Sequence, residues 1–280
     1  MKLPFKNKIL LAPMEEINDI AFRLLCKKAG AGITYTGLTS PLTKERLYLQ
    51  DKPVLQIFAK SQKGIKEFMK KYDDKIAMWD FNLGCPSKNA RKKGIGSFLK
   101  DLNTIEKILK EMRKNTKKPL GVKFRKSNIS FEIVKIAEKY CDVICIHPRT
   151  QSEGYSGKPD IEFAKKIKQS TNLPVIYSGN IDDKNYKIFL KEFDFVMIGR
   201  ASIGNPNIFS KIQNKKTNFN FKNWLELAQK YKLPFKQIKF QAMNFSKGKK
   251  DSRQLRNQIA KTKSLEEIEK LTNFKNYKII

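Results

Sequence analysis

Short apolar segments alternate along most of the chain with stretches in which apolar residues recur every three or four positions. Short runs rich in β-branched side chains are typical of strands in a parallel sheet covered by helices. The longer pattern is typical of amphipathic helices, as in DIAFRLLCKKAG and TIEKILKEMRKN. The pattern predicts eight strands, at Ile9–Ala12, Ile33–Tyr35, Val54–Ala59, Met78–Leu83, Leu120–Phe124, Val143–Ile146, Val175–Ser178 and Phe195–Ile198.

Eight strands, each followed by a helix or a loop, predict an α/β fold of the (β/α)₈ TIM-barrel type. A doubly wound open sheet is the alternative. However, the first predicted strand runs into LLAPMEEIND and not into the GxGxxG turn of dinucleotide-binding sheets. Beyond residue 216 the pattern is helical, without a convincing strand. We therefore expect a barrel domain over residues 1–216 and a small helical domain over residues 217–280.

Composition narrows the class of protein further. No apolar run approaches the length of a membrane span, and the apolar start leads into Pro13 without a cleavage site, so we expect a cytoplasmic protein with no membrane partner. The four cysteines form no CxxC pair and the chain has one histidine, which argues against a metal site.

The charge is strongly positive, with 58 Lys and Arg against 27 Asp and Glu and a net charge of +31. Such an excess attracts polyanions, first of all nucleic acids. A general bias of the chain toward Lys, Asn and Ile is the alternative explanation. The segment 217–280 alone carries 15 Lys and Arg against 5 Asp and Glu, so the predicted helical domain is a candidate RNA-binding surface.

Polar side chains stand at the carboxyl ends of the predicted strands, where barrel proteins place their active sites. Lys123 and Arg125 are two residues apart and share one face, while Val122 and Phe124 face the helices. Two cations directed into the barrel mouth need an anionic or polar ligand. The alternative is a strand end at which both side chains extend into water.

Residues at the other strand ends indicate which ligand the site would bind. Gln56 lies inside an apolar run, and His147 is the only histidine of the chain. SGNI and IGR follow the last two predicted strands, where barrels commonly bind phosphate. Gly179 and Gly199 would allow close backbone approach, and Arg200 would supply charge. Together these residues suggest flavin mononucleotide (FMN), a phosphorylated cofactor with a polar ring.

Cys85 stands between a glycine and a proline in FNLGCPSKNARKKGIGSFL. The spacing allows two interpretations: a reactive thiol at the mouth of an active site, or a small apolar side chain at the end of a buried strand.

The chain resembles the tRNA-dihydrouridine synthases over nearly its whole length. The resemblance lies in APMEEINDIAFR, PVLQIFAKS, DFNLGCPSKNARKKGIGSFL, GVKFR, IHPRTQSEGYSGKPD, PVIYSGNI and FVMIGRASIGNPNIF, and the tail FSKGKKDSRQLRNQIAKTKSLEEIEKL resembles the family's helical carboxyl-terminal domain. The order of the Asn-x-Gly-Cys-Pro-Ser and His-x-Arg-Thr motifs is quite specific. Other FMN barrels, such as dihydroorotate dehydrogenases, share the cofactor and the last two loops but not the whole set.

The resemblance implies that specific uridines in tRNA are reduced to 5,6-dihydrouridine. Reduced FMN would pass hydride to C6, Cys85 would donate a proton to C5, and NADPH or NADH would reduce the flavin again. Asn82, Arg125 and Arg149 would contact the uracil. The resemblance assigns FMN binding to Pro13, Met14, Gln56, Lys123, His147, Ser178, Gly179, Asn180, Gly199 and Arg200.

A base inside folded RNA must be extruded to reach such a site. We expect the basic helical domain and the Lys88–Lys93 segment to hold phosphates of the tRNA, and the protein to be a monomer. Two alternatives remain open: another FMN-dependent barrel oxidoreductase that acts on a small molecule, and a non-catalytic RNA-binding barrel.

Overall fold

The computed structural model describes residues 1–248 and 251–272. In these ranges, seven parallel strands form one sheet in the order β1-β7-β6-β5-β4-β3-β2. The strands are β1 (Ile9–Leu11), β2 (Val54–Ile57), β3 (Met78–Leu83), β4 (Leu120–Arg125), β5 (Val143–His147), β6 (Val175–Ser178) and β7 (Phe195–Ile198). Seven of the eight predicted strands are thus confirmed, with ends shifted by at most two residues.

Within the described residues, twelve α-helices accompany the strands, and most of those in the barrel follow a strand directly. They are α1 (Ile20–Lys28), α2 (Ile65–Tyr72), α3 (Lys88–Lys93), α4 (Leu102–Lys114), α5 (Ser130–Tyr140), α6 (Ile161–Gln169), α7 (Tyr186–Glu192), α8 (Ile208–Ile212), α9 (Phe221–Lys230), α10 (Phe235–Phe245), α11 (Ser252–Lys261) and α12 (Leu265–Leu271). Short 3₁₀ helices occupy Asp73–Lys75, Gly96–Phe98 and Arg200–Ser202.

The predicted strand Ile33–Tyr35 is not a regular strand, but its segment closes the barrel between β1 and β2. Leu11 N donates to Ile33 O (3.1 Å) on one side, and Val54 N donates to Thr34 O (2.8 Å) on the other. One step further, Gln56 N donates to the Thr36 hydroxyl (3.1 Å). Because a side-chain hydroxyl there replaces a backbone carbonyl, the ladder is interrupted and only isolated bridges remain.

Alternate residues of each strand face either the helices or the barrel interior. The outward side chains, such as Trp79, Phe81, Val122 and Phe124, join the large core under the helices. The inward apolar side chains form a second cluster inside the barrel, with Leu10, Val54, Met78, Val143, Cys145, Ile176 and Met197. Toward the carboxyl ends of the strands the inward-facing residues are polar. A polar site therefore lies directly above the apolar cluster inside the barrel.

The carboxyl-terminal helices pack beside the loop after β1. The Asp19 side chain caps α1 by accepting the Phe22 N–H (2.9 Å), and it also accepts from Trp224 Nε1 (3.1 Å) in α9 and Gln241 Nε2 (2.7 Å) in α10. Burial raises the pKa of Asp19, and these hydrogen bonds act against the rise. Of the predicted helical domain, residues 249–250 and 273–280 lie outside the described residues.

No helix within residues 1–248 and 251–272 has the length and hydropathy to cross a membrane. The same ranges contain no cluster of three or more His, Cys, Asp or Glu side chains suited to hold a metal ion.

Candidate active site

A cavity of about 1230 Å³ opens at the carboxyl ends of the strands. Because parallel strands end at the same edge, the predicted site residues of all seven strands converge there. The cavity is lined by Pro13, Met14, Gln56, Asn82, Cys85, Lys123, Arg125, His147, Ser178, Gly179, Asn180, Gly199 and Arg200. Of the residues predicted from the sequence to form the site, Arg149 alone lies behind this wall.

Beneath the cavity floor, Gln56 hydrogen bonds both to Asn82 and to the carboxyl of Asp80, a residue that the sequence analysis missed. Gln56 Nε2 donates to Asp80 Oδ2 (2.6 Å), and Asn82 Nδ2 donates to Gln56 Oε1 (2.8 Å). Burial raises the pKa of Asp80 to about 7, against the effects of the Gln56 hydrogen bond and of Lys123. An aspartate inside an apolar strand, on the same face as Asn82, was the signal in the sequence.

Cys85 lies in a tight turn after β3 that is held by side-chain and backbone hydrogen bonds. Asn82 Oδ1 accepts the N–H groups of Gly84 (3.2 Å) and Cys85 (3.0 Å), and Cys85 O accepts from Ser97 Oγ (3.0 Å). The thiol lies 3.4 Å from Ser87 Oγ. Of the four cysteines, all of them in the described part of the chain, Cys85 is half-buried and the others are buried. The geometry therefore favours the reactive-thiol interpretation of GCP.

Lys123 is directed into the barrel mouth, and Val122 and Phe124 lie in the core under the helices, as predicted. Its side chain is buried, and it makes no hydrogen bond within residues 1–248 and 251–272. A buried ammonium has three donors and is costly without acceptors. The position thus suits an anionic or acceptor-rich ligand in the cavity.

His147 is neutral in this site. Burial lowers its pKa to about 2, and the positive charges of Lys123, Arg125, Arg149 and Arg200 add to the effect. Arg149 Nη1 lies 3.1 Å from His147 Nε2. Because a guanidinium can only donate, Nε2 accepts and the ring hydrogen is on Nδ1.

Arg125 and Arg149 donate hydrogen bonds to the backbone of the loop that follows β5, residues 148–159. Arg149 is fully buried and donates to Ser156 O (2.8 Å) and Gly157 O (2.6 Å), and Arg125 Nη1 donates to Gly154 O (2.6 Å). These two residues were predicted to contact substrate. In the structure both of them fasten this loop, and only Arg125 also lines the cavity.

Tyr155 is a second residue that sequence reasoning missed. It is 58% exposed at the cavity rim, with the Arg125 and Arg200 guanidinium carbons 5.1 Å and 5.4 Å from its ring centroid. An exposed aromatic ring flanked by two cations is a surface on which a planar group can stack. The sequence offered only a tyrosine within a glycine-rich loop, which is a weak signal.

The loops after β6 and β7 meet at another part of the cavity wall. Asn180 adopts a left-handed conformation (φ 52°), and the Arg200 guanidinium donates to the Asn180 side-chain oxygen. Ser178, Gly179 and Gly199 lie beside them on the cavity wall. An exposed arginine beside two glycines suits a phosphate group.

A basic surface continues from the cavity over α3. A second depression, of about 520 Å³, is lined by Lys88, Arg91, Lys100 and Gln151, and Lys88 and Gln151 also line the main cavity. The Ser87 hydroxyl caps α3 by accepting the Ala90 N–H (3.1 Å). The cap thus holds exposed cations next to Cys85.

Fold and site together define a (β/α)₈ barrel with a polar, largely cationic cavity and one half-buried thiol at its wall. The chain belongs to the dihydrouridine synthase family, whose model matches residues 10–278.

Curated relatives are similar over most of both chains. A tRNA-dihydrouridine synthase B of Pasteurella multocida is 31% identical over 236 residues, which cover 75% of this chain and 70% of the relative. A probable tRNA-dihydrouridine synthase of Helicobacter pylori strain J99 is 33% identical over 240 residues, 77% of this chain and 73% of the relative.

Solved structures support the fold. Morphinone reductase in complex with tetrahydroNAD aligns with a TM-score of 0.55 at 10% identity, covering 79% of this chain and 90% of that protein. A variant of NCR from Zymomonas mobilis aligns with a TM-score of 0.53 at 11% identity, covering 80% and 93%.

Proposed function

We propose that this protein reduces specific uridines in tRNA to 5,6-dihydrouridine, with FMN as cofactor and NADPH or NADH as reductant. The observation that carries the proposal is the half-buried Cys85 thiol on the wall of a cationic cavity, in a chain of the dihydrouridine synthase family.

The cavity fits FMN in its size and its donor set. Lys123 supplies a buried cation without a hydrogen-bonding partner in the described chain, and Gln56 and His147 lie beside it. Arg200, with Ser178, Gly179, Asn180 and Gly199, would hold the phosphate, and Pro13 and Met14 would cover the ring. When bound, FMN supplies the hydride for the uracil ring.

The side chains of this protein then orient the base and move a proton. Cys85 holds a proton at Sγ and donates it to C5 of the uracil. Asn82 and Arg125 contact the base from the same wall, and Tyr155 stacks against the extruded nucleotide. Arg149 shapes the loop of Tyr155, and a direct contact with uracil requires its guanidinium to leave Ser156 and Gly157.

We further propose that residues 217–280 form the tRNA-binding domain. Its helices lie beside the cavity mouth, since Gln237 donates to Glu16 O (2.7 Å) and Gln241 donates to Ile17 O (2.9 Å) in the loop after β1. Glu15 and Ile17 of that loop line the cavity. The exposed basic side chains of these helices and the turn between α9 and α10 include Lys222, Lys230, Lys232, Lys236, Arg253 and Lys261. Phosphates held there would place a nucleotide near Cys85.

The test is the dihydrouridine content of tRNA that lacks this modification, after incubation with purified protein, FMN and NADPH or NADH. We expect wild type to form dihydrouridine and Cys85→Ala to retain FMN but lose turnover at least a hundredfold. Cys141→Ala is the matched control, because that thiol is buried at the end of α5.

Wild-type protein that binds no FMN, or that leaves uridine unchanged, contradicts the proposal. Full activity of Cys85→Ala contradicts the proton-donor role.

A further inference from the structure

Three buried side chains connect the barrel interior with the turn at Cys85. Gln56 Nε2 donates to Asp80 Oδ2 (2.6 Å), Asn82 Nδ2 donates to Gln56 Oε1 (2.8 Å), and the Cys85 N–H donates to Asn82 Oδ1 (3.0 Å). Gln56, Asp80 and Asn82 are each at most 5% exposed. We call these three residues and the Cys85 N–H the Asp80 chain.

The direction of hydrogen bonding along the Asp80 chain is fixed from the Cys85 end. The backbone N–H groups of Gly84 and Cys85 can only donate, so Asn82 Oδ1 accepts from them and Asn82 Nδ2 is left to donate to Gln56 Oε1. If the Gln56 amide turned over, its oxygen would face Asp80 and its nitrogen would face the Asn82 nitrogen. Each buried mismatch of this kind costs about 1–3 kcal/mol. The chain therefore has one favourable arrangement.

The barrel leaves space for the carboxyl at this position. Gly121 of β4 pairs with Asp80 across the sheet, and a Cβ atom at Gly121 would lie 2.7 Å from Asp80 Oδ1. Lys123, two residues further along β4, faces the same interior. Asp80 itself lies below the residues that line the cavity, so its effect on bound molecules passes through Gln56 and Asn82.

We propose that Asp80 is a positioning residue: its side-chain oxygen orients the Gln56 amide and, through Asn82, holds the Cys85 turn in place at the cavity wall. This inference rests on the proposed function only in taking Cys85 as the proton donor. Sequence pattern places Asp80 and Asn82 on one face of β3, but the connection through Gln56 is visible only in the structure.

Two substitutions separate the hydrogen-bond acceptor from the charge. Asp80→Asn keeps an oxygen for Gln56 Nε2 and loses the charge, whereas Asp80→Leu keeps similar volume and loses the acceptor. Gln56→Met breaks the chain at its middle without changing the charge, and it keeps the test decisive if Asp80→Leu does not fold. Met78→Leu is the control, because Met78 lies on the same inward face of β3 outside the chain.

The readouts on the purified FMN-bound protein are amide hydrogen exchange in a peptide spanning residues 82–90 and the alkylation rate of Cys85 by iodoacetamide. The other three cysteines are buried, so alkylation of the folded protein reports Cys85. We expect Asp80→Leu and Gln56→Met to speed exchange at Gly84 and Cys85 at least tenfold and to change alkylation severalfold. In Asp80→Asn and Met78→Leu, both exchange and alkylation should stay within twofold of wild type. The kcat should fall in Asp80→Leu and Gln56→Met and stay near wild type in the other two variants, with an unchanged KM for tRNA in all four.

Equal effects of Asp80→Asn and Asp80→Leu would overturn the proposal, because the charge and not the acceptor would then matter. Unchanged exchange and alkylation in both Asp80→Leu and Gln56→Met would overturn it as well. Failure of the proposed function shows separately, as wild-type protein that forms no dihydrouridine, since exchange and alkylation need no substrate.

Discussion

Asp80 combines burial with an ionisable group in the middle of a strand. Its pKa is raised to about 7, so between pH 4 and pH 7 the folded state binds more protons than the unfolded state. The free energy of unfolding therefore loses a contribution from Asp80 as pH rises through this window, by roughly 4 kcal/mol. The loss is complete at about pH 8, one unit above the folded-state pKa.

Asp80→Asn removes this titration and keeps the hydrogen-bond acceptor. We expect the variant to gain stability relative to wild type as pH rises from 4 through 7 and the gain to level off at about pH 8. Urea unfolding of both proteins at intervals across pH 4–8 measures the difference. A difference that does not change with pH would show that Asp80 is ionised in the folded protein throughout this range.

Tyr155 presents an exposed ring between two guanidinium groups, and its predicted role is stacking. Stacking of one base on an aromatic side chain contributes about 1–3 kcal/mol. We expect Tyr155→Ala to raise the KM for tRNA roughly tenfold and Tyr155→Phe, which keeps the ring, to stay near wild type. Steady-state kinetics with unmodified tRNA measures this, and equal KM values for the two variants would exclude stacking.

At the scale of elements, the sequence pattern predicts eight strands, of which seven are regular in the structure, and it predicts the inward faces on which Lys123 and Arg125 lie. It does not predict that Thr36 interrupts the segment between β1 and β2, because that depends on a hydroxyl meeting the Gln56 N–H of another strand. Arg149 shows the same limit. Spacing places it beside His147, but burial against Ser156 and Gly157 depends on how a loop folds back.

The segment between α3 and α4 contains two glycines that can be compared directly. Gly94 (φ 63°) and Gly96 (φ 61°) are both left-handed, a conformation that costs a residue with a side chain about 1–2 kcal/mol. A Cβ at Gly96 would lie 2.8 Å from Cys85 O, whereas one at Gly94 meets nothing within 4 Å.

We expect Gly96→Ala and Gly94→Ala to lose stability by similar amounts from backbone strain, with an extra loss at Gly96 from the contact. Only Gly96→Ala should displace Cys85 and lower kcat, by at least tenfold. Thermal unfolding and single-turnover rates with tRNA separate the two effects. If both variants lost turnover to a comparable extent, backbone strain alone would account for the loss, and displacement of Cys85 would have no effect of its own.

At the scale of the whole molecule, the net charge of +31 includes exposed cations at both ends of the barrel. Helices α9 and α10 pack against the loop after β1, which lines the cavity, and α10 carries Lys236 on its exposed surface. Lys117 is also exposed, but it precedes β4 and lies at the amino ends of the strands, away from the cavity. Equal changes of charge at these two positions therefore test where RNA binds.

We expect tRNA affinity to fall steeply with salt, because each phosphate contact releases counterions. Lys236→Glu should weaken binding and make the slope of log affinity against log salt shallower by about 1, as expected for one lost phosphate contact. Lys117→Glu should leave the slope unchanged, although both variants change the net charge by the same amount. Fluorescence anisotropy with labelled tRNA between 50 and 300 mM salt gives the slopes. Equal effects of the two substitutions would mean that total charge attracts the RNA, and the assignment of the carboxyl-terminal helices as its binding surface would be wrong.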